Sequence, residues 1–243
     1  MIQPASNFLK RYIYVLLGVL ALIFVHIGFA ATYVGPVLSG TFAGRKVLHL
    51  HGAIFMGWVV LSIAQPLLIQ KKQIQLHRKI GVFGAVLGAL VVLMGLYISI
   101  TSAHLNMARD GEQAAKAFLL IPITDMILFA LFVVLAISNT SNPEAHKRYI
   151  ILATLSILPA ATGRMLRLFT WWTGNAIVDT MLALSVMEIT LYLAVLYDVI
   201  VRKKIHTVYI WGGLFLLTVH AFRDWASHSE TWLSISTWIV DHT

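Results

Sequence analysis

Long apolar runs separated by short polar stretches make up most of the chain. At ~1.5 Å per residue, most of these runs are long enough as helices to cross the ~30 Å hydrocarbon core of a bilayer. The pattern predicts an all-α integral membrane bundle that forms one transmembrane domain over residues 1–243. The predicted spans cover residues 11–33, 47–70, 76–101, 117–137, 147–172, 176–201 and 208–222. The tail at 225–243 carries an apolar helical face and is predicted to lie on the outer membrane interface.

Basic residues fall mostly on one side of this arrangement of seven helices. The richer side carries Lys10, Arg11, Lys71, Lys72, Arg78, Lys79, Lys147, Arg148, Arg202, Lys203 and Lys204. The opposite loops carry only Arg45, Lys46, Arg109 and Lys116. Because cytoplasmic loops are enriched in lysine and arginine, the N-terminus is predicted to lie inside and the C-terminus outside.

Composition supports a membrane protein and narrows its chemistry. The chain is 59% hydrophobic and 12% charged, with a mean hydropathy of +0.82, which a water-soluble domain of this length would not normally show. It has no cysteine, which excludes disulfides, thiolate ligands and iron–sulfur clusters and leaves histidine and carboxylate as ligands for a metal. The net charge of +8 belongs to short loops, so the sequence predicts no binding of nucleic acid.

Ionisable side chains are expected to meet in the outer half of the membrane. The residues concerned are His26, His51, Asp125, Arg164, Glu188 and His220. Such groups are costly in hydrocarbon, so they indicate a functional site, although helix packing or a buried ion pair is the structural alternative. His51 is favoured over His49 because Trp58, Ser62 and Gln65 follow His51 on one helical face. That polar stripe is predicted to face the bundle.

A second pair of histidines opens two helices at the predicted inner side. His77 stands in LHRKIG and His146 in AHKRYI, each followed by two basic residues. Two imidazoles at equal depth can ligate a haem iron from both sides, with Arg78 and Arg148 beside the propionates. The alternative is that these are basic helix ends that bind lipid phosphate.

Two passages carry a resemblance to known families. HGAIFMGWVVLSIAQPLLIQKKQIQLHRKIG and HKRYIILATLSILPAATGRMLRL resemble a family of bacterial multi-spanning membrane proteins classed as a domain of unknown function. The resemblance covers about residues 48–168 and implies a bacterial inner membrane location. The same core is more distantly similar to the ascorbate-reducible transmembrane cytochromes b, which implies haem ligands at His51, His77 and His146. The chain departs from that family at Asp125, where the fourth ligand is expected, so His220 or His26 would have to replace it.

The first functional hypothesis is a membrane redox protein. It binds haem b through His77 and His146 and exchanges electrons with a quinol or another lipid-soluble reductant, with a redox partner protein as the other reactant. In this hypothesis Asp125 and Glu188 carry the protons that accompany quinol chemistry.

The second hypothesis is a metal-dependent intramembrane enzyme that acts on a lipophilic substrate. His26, His51 and His220 would hold zinc, iron or copper, and Glu188 or Asp125 would be a further ligand or a general base. In this hypothesis Arg164 stabilises an anion on the substrate. A proton-coupled transporter that uses the same polar residues is the third alternative.

Overall fold

The computed structural model describes residues 3–168 and 188–243, and every regular element within these ranges is helical. The α-helices are α1 (Gln3–Phe29), α2 (Gly35–Leu38), α3 (Val47–Gln70), α4 (Ile74–Asp110), α5 (Glu112–Phe118), α6 (Leu120–Ser138), α7 (Pro143–Ser156), α8 (Pro159–Leu168), α9 (Ile189–Tyr197), α10 (Leu214–Ser227) and α11 (Glu230–Asp241). π-Helical turns occupy Ala30–Val34, Asp198–Arg202 and Tyr209–Gly213. The predicted all-α class is therefore confirmed.

Several of these helices have the length and composition of membrane spans. Four described helical stretches are long and apolar enough to cross a bilayer, namely Asn7–Leu38, Val47–Gln70, Ile74–Asp110 and Glu112–Ser138. Counting α7 and α8 together as one bent span gives five. The last two predicted spans do not reach this standard in the described residues, and positions 176–187 lie outside them.

Helix α4 shows how the bundle sorts its side chains. Val82, Val86 and Leu93 are 56–70% exposed along one face, where they suit contact with lipid. The opposite face holds glycines: a methyl group at Gly88 would lie 3.3 Å from the side chain of Val133 on α6. Small residues therefore allow α4 to approach its neighbours closely, as the glycine spacing predicts.

The predicted span at 147–172 is broken. Helices α7 and α8 meet at an angle of 46°, and α8 begins at Pro159. Proline lacks the N–H that would continue the α7 ladder, and its ring disfavours helical backbone at Leu158. The break turns the helical axis at the level where α8 packs on α1. The end of the predicted span, residues 169–172, lies outside the described residues.

The polar tail forms a helix that packs on protein. In α11, Ser236 and Val240 are buried, and the Trp232 indole N–H donates to the Lys116 carbonyl at 2.9 Å. The apolar positions Ile235 and Trp238 are exposed instead. Helix α11 can pack on protein because α4 is long. Its 37 residues span ~55 Å, so the end of α4 extends past the ~30 Å hydrocarbon core of a bilayer and, with α5, offers a docking surface.

Candidate functional site

Four ionisable side chains meet in the interior near the predicted outer end of the bundle. Asp125 projects from α6, His220 and Arg223 from α10, and Glu188 directly precedes α9. We call this set the carboxylate–histidine cluster. Its side chains are between 1% and 7% exposed. The sequence predicted three of the four members, and the structure brings those three together.

Two hydrogen-bonded pairs build the carboxylate–histidine cluster. Arg223 Nη1 donates a hydrogen bond to Asp125 Oδ1, and His220 Nδ1 is hydrogen-bonded to Glu188 Oε1. The second imidazole nitrogen, His220 Nε2, lies 3.8 Å from Asp125 Oδ1. The histidine therefore stands between two carboxylates that come from different parts of the chain.

Helix α10 points His220 and Arg223 into the bundle because its buried positions repeat at helical spacing. Leu216, His220, Arg223 and Ser227 follow one another at intervals of four, three and four residues and are all buried. The predicted last span ends at Phe222, so Arg223 was not among the predicted site residues. The signal that identifies Arg223 is its position three residues after His220 on the same face.

Some polar atoms in the cluster have no hydrogen-bond partner among the described residues. Glu188 Oε2 and His220 Nε2 are buried in this state, as is the nearby Thr190 Oγ1. An unsatisfied buried polar atom costs about 1–3 kcal/mol. Such atoms in a packed interior call for an explanation, and a bound proton or another small polar species is one.

The predicted metal site is not assembled. The described residues hold no group of three histidine or carboxylate side chains placed to bind a metal ion. His26 is exposed, and its Nδ1–H donates to the Leu22 carbonyl of its own helix at 3.0 Å. His220 is turned toward Glu188. Because His26, His51 and His220 point to different surroundings, we do not assign them as ligands of one metal.

His51 and Arg164 form a separate environment. The His51 ring centre lies 4.2 Å from that of Phe55, and its Nδ1 is buried without a hydrogen-bond partner among the described residues. Arg164 is near enough to His51 for an electrostatic interaction. Its guanidinium also lies over the Phe29 ring at 4.7 Å and donates to the Ala160 carbonyl. Arg164 therefore lies beside His51 and is not a member of the carboxylate–histidine cluster.

The polar stripe that follows His51 faces inward, as predicted. Trp58 and Ser62 are buried, and the Trp58 indole N–H donates to Thr154 Oγ1 on α7 at 3.1 Å. His49 points elsewhere, toward the loop end, where Tyr33 Oη lies 2.8 Å from its Nδ1. The two neighbouring histidines thus have separate surroundings.

The second histidine pair lies between α4 and α7. The ring centres of His77 and His146 are 6.5 Å apart, and the ring planes are inclined at 83°. The Nδ1–H of His146 donates to the Ala136 carbonyl at 2.8 Å, which leaves its Nε2 as the nitrogen with a free lone pair. His77 Nδ1 is buried without a well-formed hydrogen bond among the described residues. The structure therefore brings the two predicted imidazoles close together, with their ring planes nearly perpendicular.

Arg148 does not stand beside this pair. It is completely buried and donates to Asp198 at 2.6 Å and to the Glu144 carboxylate at 2.8 Å. Arg202 contacts the same two carboxylates from the π-helical turn. We call Glu144, Arg148, Asp198 and Arg202 the inner ion network. Since its donors are engaged in this network, Arg148 is not placed to meet a propionate. Arg78, in contrast, is exposed near the start of α4.

Comparisons with known proteins leave this geometry as the basis for any functional argument. No family model, curated protein or solved structure matches the chain. The resemblance to a family of unknown function and to the cytochromes b therefore stays a prediction. The features that indicate a function are therefore the paired histidines and the carboxylate–histidine cluster.

Proposed function

We propose that the protein is a membrane redox protein that binds one haem b between His77 and His146 and exchanges electrons with a quinol or another lipid-soluble reductant. The observation that carries the proposal is the separation of 6.5 Å between the two ring centres. Bonds from a metal to imidazole nitrogen are about 2 Å long, so two rings on opposite sides of one iron stand about 6 Å apart. The spacing therefore suits two axial ligands.

The surroundings of the pair support the same assignment. A histidine that binds a metal usually donates its other ring N–H to a carbonyl or carboxylate, which fixes the ring. His146 makes such a bond to Ala136. Both imidazoles are partly exposed at the bundle surface, and Arg78 is exposed next to His77. When bound, the haem would supply one-electron transfer, and Arg78 would neutralise a propionate.

The first prediction tests this ligand pair. Replacing either His77 or His146 by alanine is expected to reduce haem binding about tenfold or more, because each supplies one of two axial bonds. The visible spectrum of the purified protein, oxidised and reduced, measures the bound haem. The matched control is His104→Ala, which removes a histidine from the opposite end of the same helix and should leave the spectrum unchanged.

Two results would contradict the haem proposal. One is full retention of haem in both the His77 and His146 variants. The other is a wild-type protein without a Soret band after expression with adequate haem supply; bound zinc, iron or copper in that sample would favour the enzyme hypothesis instead. In either case the basic helix ends would be contacts for lipid phosphate.

We also propose the finer membrane arrangement: seven spans in a bacterial inner membrane, with the N-terminus in the cytoplasm. The unequal distribution of basic residues supports this orientation. A reporter of the periplasm fused after Thr243 should be active, and the same reporter inserted at Lys72 should be inactive. The reverse pattern would invert the orientation, and activity at both sites would exclude an odd number of spans between them.

A further inference from the structure

Among the described residues, the charges of the carboxylate–histidine cluster balance only when the cluster holds an additional proton. Asp125 and Arg223 neutralise each other. The remaining pair, Glu188 and His220, has a net charge of −1 when the carboxylate is ionised and the imidazole is neutral. Both side chains are at most 2% exposed, and a buried charge without compensation is strongly disfavoured. One proton on the pair removes that charge.

The geometry provides a place for this proton. His220 Nδ1 and Glu188 Oε1 are in hydrogen-bond contact, so a proton between them is shared by an acid and a base. Protonated His220 also carries an N–H at Nε2, the atom that lies 3.8 Å from Asp125 Oδ1 and has no other partner among the described residues. Protonation thus improves the contacts on both sides of the imidazole ring.

We propose that Glu188 and His220 form an intramembrane proton-binding site that holds one proton at neutral pH. Asp125 and Arg223 are its fixed ion pair, which sets the charge that the site must balance. Tyr192 on α9 is a further described titratable group that interacts with Glu188. Because Glu188 and His220 are in direct hydrogen-bond contact, the proton is assigned to the pair and not to either side chain alone.

Oxidation of a quinol releases protons along with electrons, so a site within the membrane that can release its proton and take up another would serve the proposed function. Only this use of the proton-binding site rests on the proposed function. The charge balance that carries it involves no residue of the His77 and His146 pair. The two proposals therefore fail separately: a haem spectrum tests one, and the protonation state of His220 tests the other.

The experiment is a pH titration of the full chain labelled with ¹⁵N-histidine, in detergent or lipid, read by NMR. The His220→Gln variant identifies the His220 signals. In the wild-type protein at pH 7, one proton is expected on the pair, either as an imidazolium at His220 or as a carboxylic acid at Glu188. A carboxylic acid infrared band that disappears in Glu188→Gln detects the second form.

Two isosteric variants test the charge count. Glu188→Gln and Asp125→Asn each remove one negative charge, so the cluster becomes neutral without the additional proton. In Asp125→Asn the proton on the Glu188 and His220 pair should be lost at lower pH than in the wild-type protein, and in Glu188→Gln the His220 imidazole should be neutral at pH 7. The wild-type titration is informative even where a variant fails to fold.

Two results would overturn the proposal. The first is a wild-type protein in which His220 is neutral and Glu188 is ionised throughout pH 6–8. The second is a protonation signal that changes with sodium concentration at constant pH, because a metal cation would then balance the charge. Loss of the additional proton in both variants, with no response to sodium, supports the site as proposed.

Discussion

Replacing Arg148 with methionine is expected to lower the free energy of unfolding by about 3–5 kcal/mol, because the change leaves Asp198 as a buried carboxylate that has lost its closest partner. Arg148 and Asp198 are both 0% exposed and lie 2.6 Å apart. Methionine keeps much of the volume of the side chain but provides no donor. Chemical denaturation of the purified protein in detergent, followed by circular dichroism, measures the loss.

Arg202 provides a matched control, since it contacts the same carboxylates from a partly exposed position. Arg202→Ala should cost no more than about 1 kcal/mol, the usual range for ion pairs that water can reach. The double variant Arg148→Met, Asp198→Leu should recover much of the stability, because apolar residues can replace a buried pair at little net cost. Equal and small losses from Arg148→Met and Arg202→Ala would show that the inner ion network contributes little.

The helical architecture could be predicted because hydrophobic runs follow directly from the requirement to bury backbone hydrogen bonds in a membrane. The starts of α3 and α7 lie within a few residues of the predicted span boundaries. The bend before Pro159 was not predicted. Pro66 also lies within a predicted span, but α3 continues through it without a break. A proline removes one hydrogen bond in either place, and the surrounding packing decides whether the helix continues.

The sequence predicted how deep in the membrane the site residues lie, but not which way each side chain points. Positions along a helix give the depth of a side chain, so Asp125, Glu188 and His220 were expected in the outer half of the membrane and do meet. His26 was expected near the same level but lies on the exposed side of α1. Which way a helix is rotated depends on its packing against neighbours, and an α1 that is apolar on most faces gives little indication of this from sequence alone.

Arg223 is a second residue whose direction the sequence analysis did not predict. Its charge separated it from the apolar run that ends at Phe222, and the position of α10 against α6 shows that it is buried opposite Asp125. An arginine that lies in the interior keeps its charge, so its partner must also be ionised or hydrogen-bonded to it. This makes Arg223 the residue on which the charge of the whole carboxylate–histidine cluster depends.

Replacing Arg223 with methionine is therefore expected to lower the free energy of unfolding by about 3–5 kcal/mol, because Asp125 would remain buried without its arginine partner. The neighbouring Asp224 is exposed, so Asp224→Ala on the same helix should change stability by no more than about 0.5 kcal/mol. Denaturation of both variants in the same detergent measures the difference. Adding Asp125→Leu to the methionine variant removes the unpaired carboxylate and should restore most of the stability. A methionine variant as stable as Asp224→Ala would mean that Asp125 is not held as an ionised partner, and the charge count of the cluster would then be wrong.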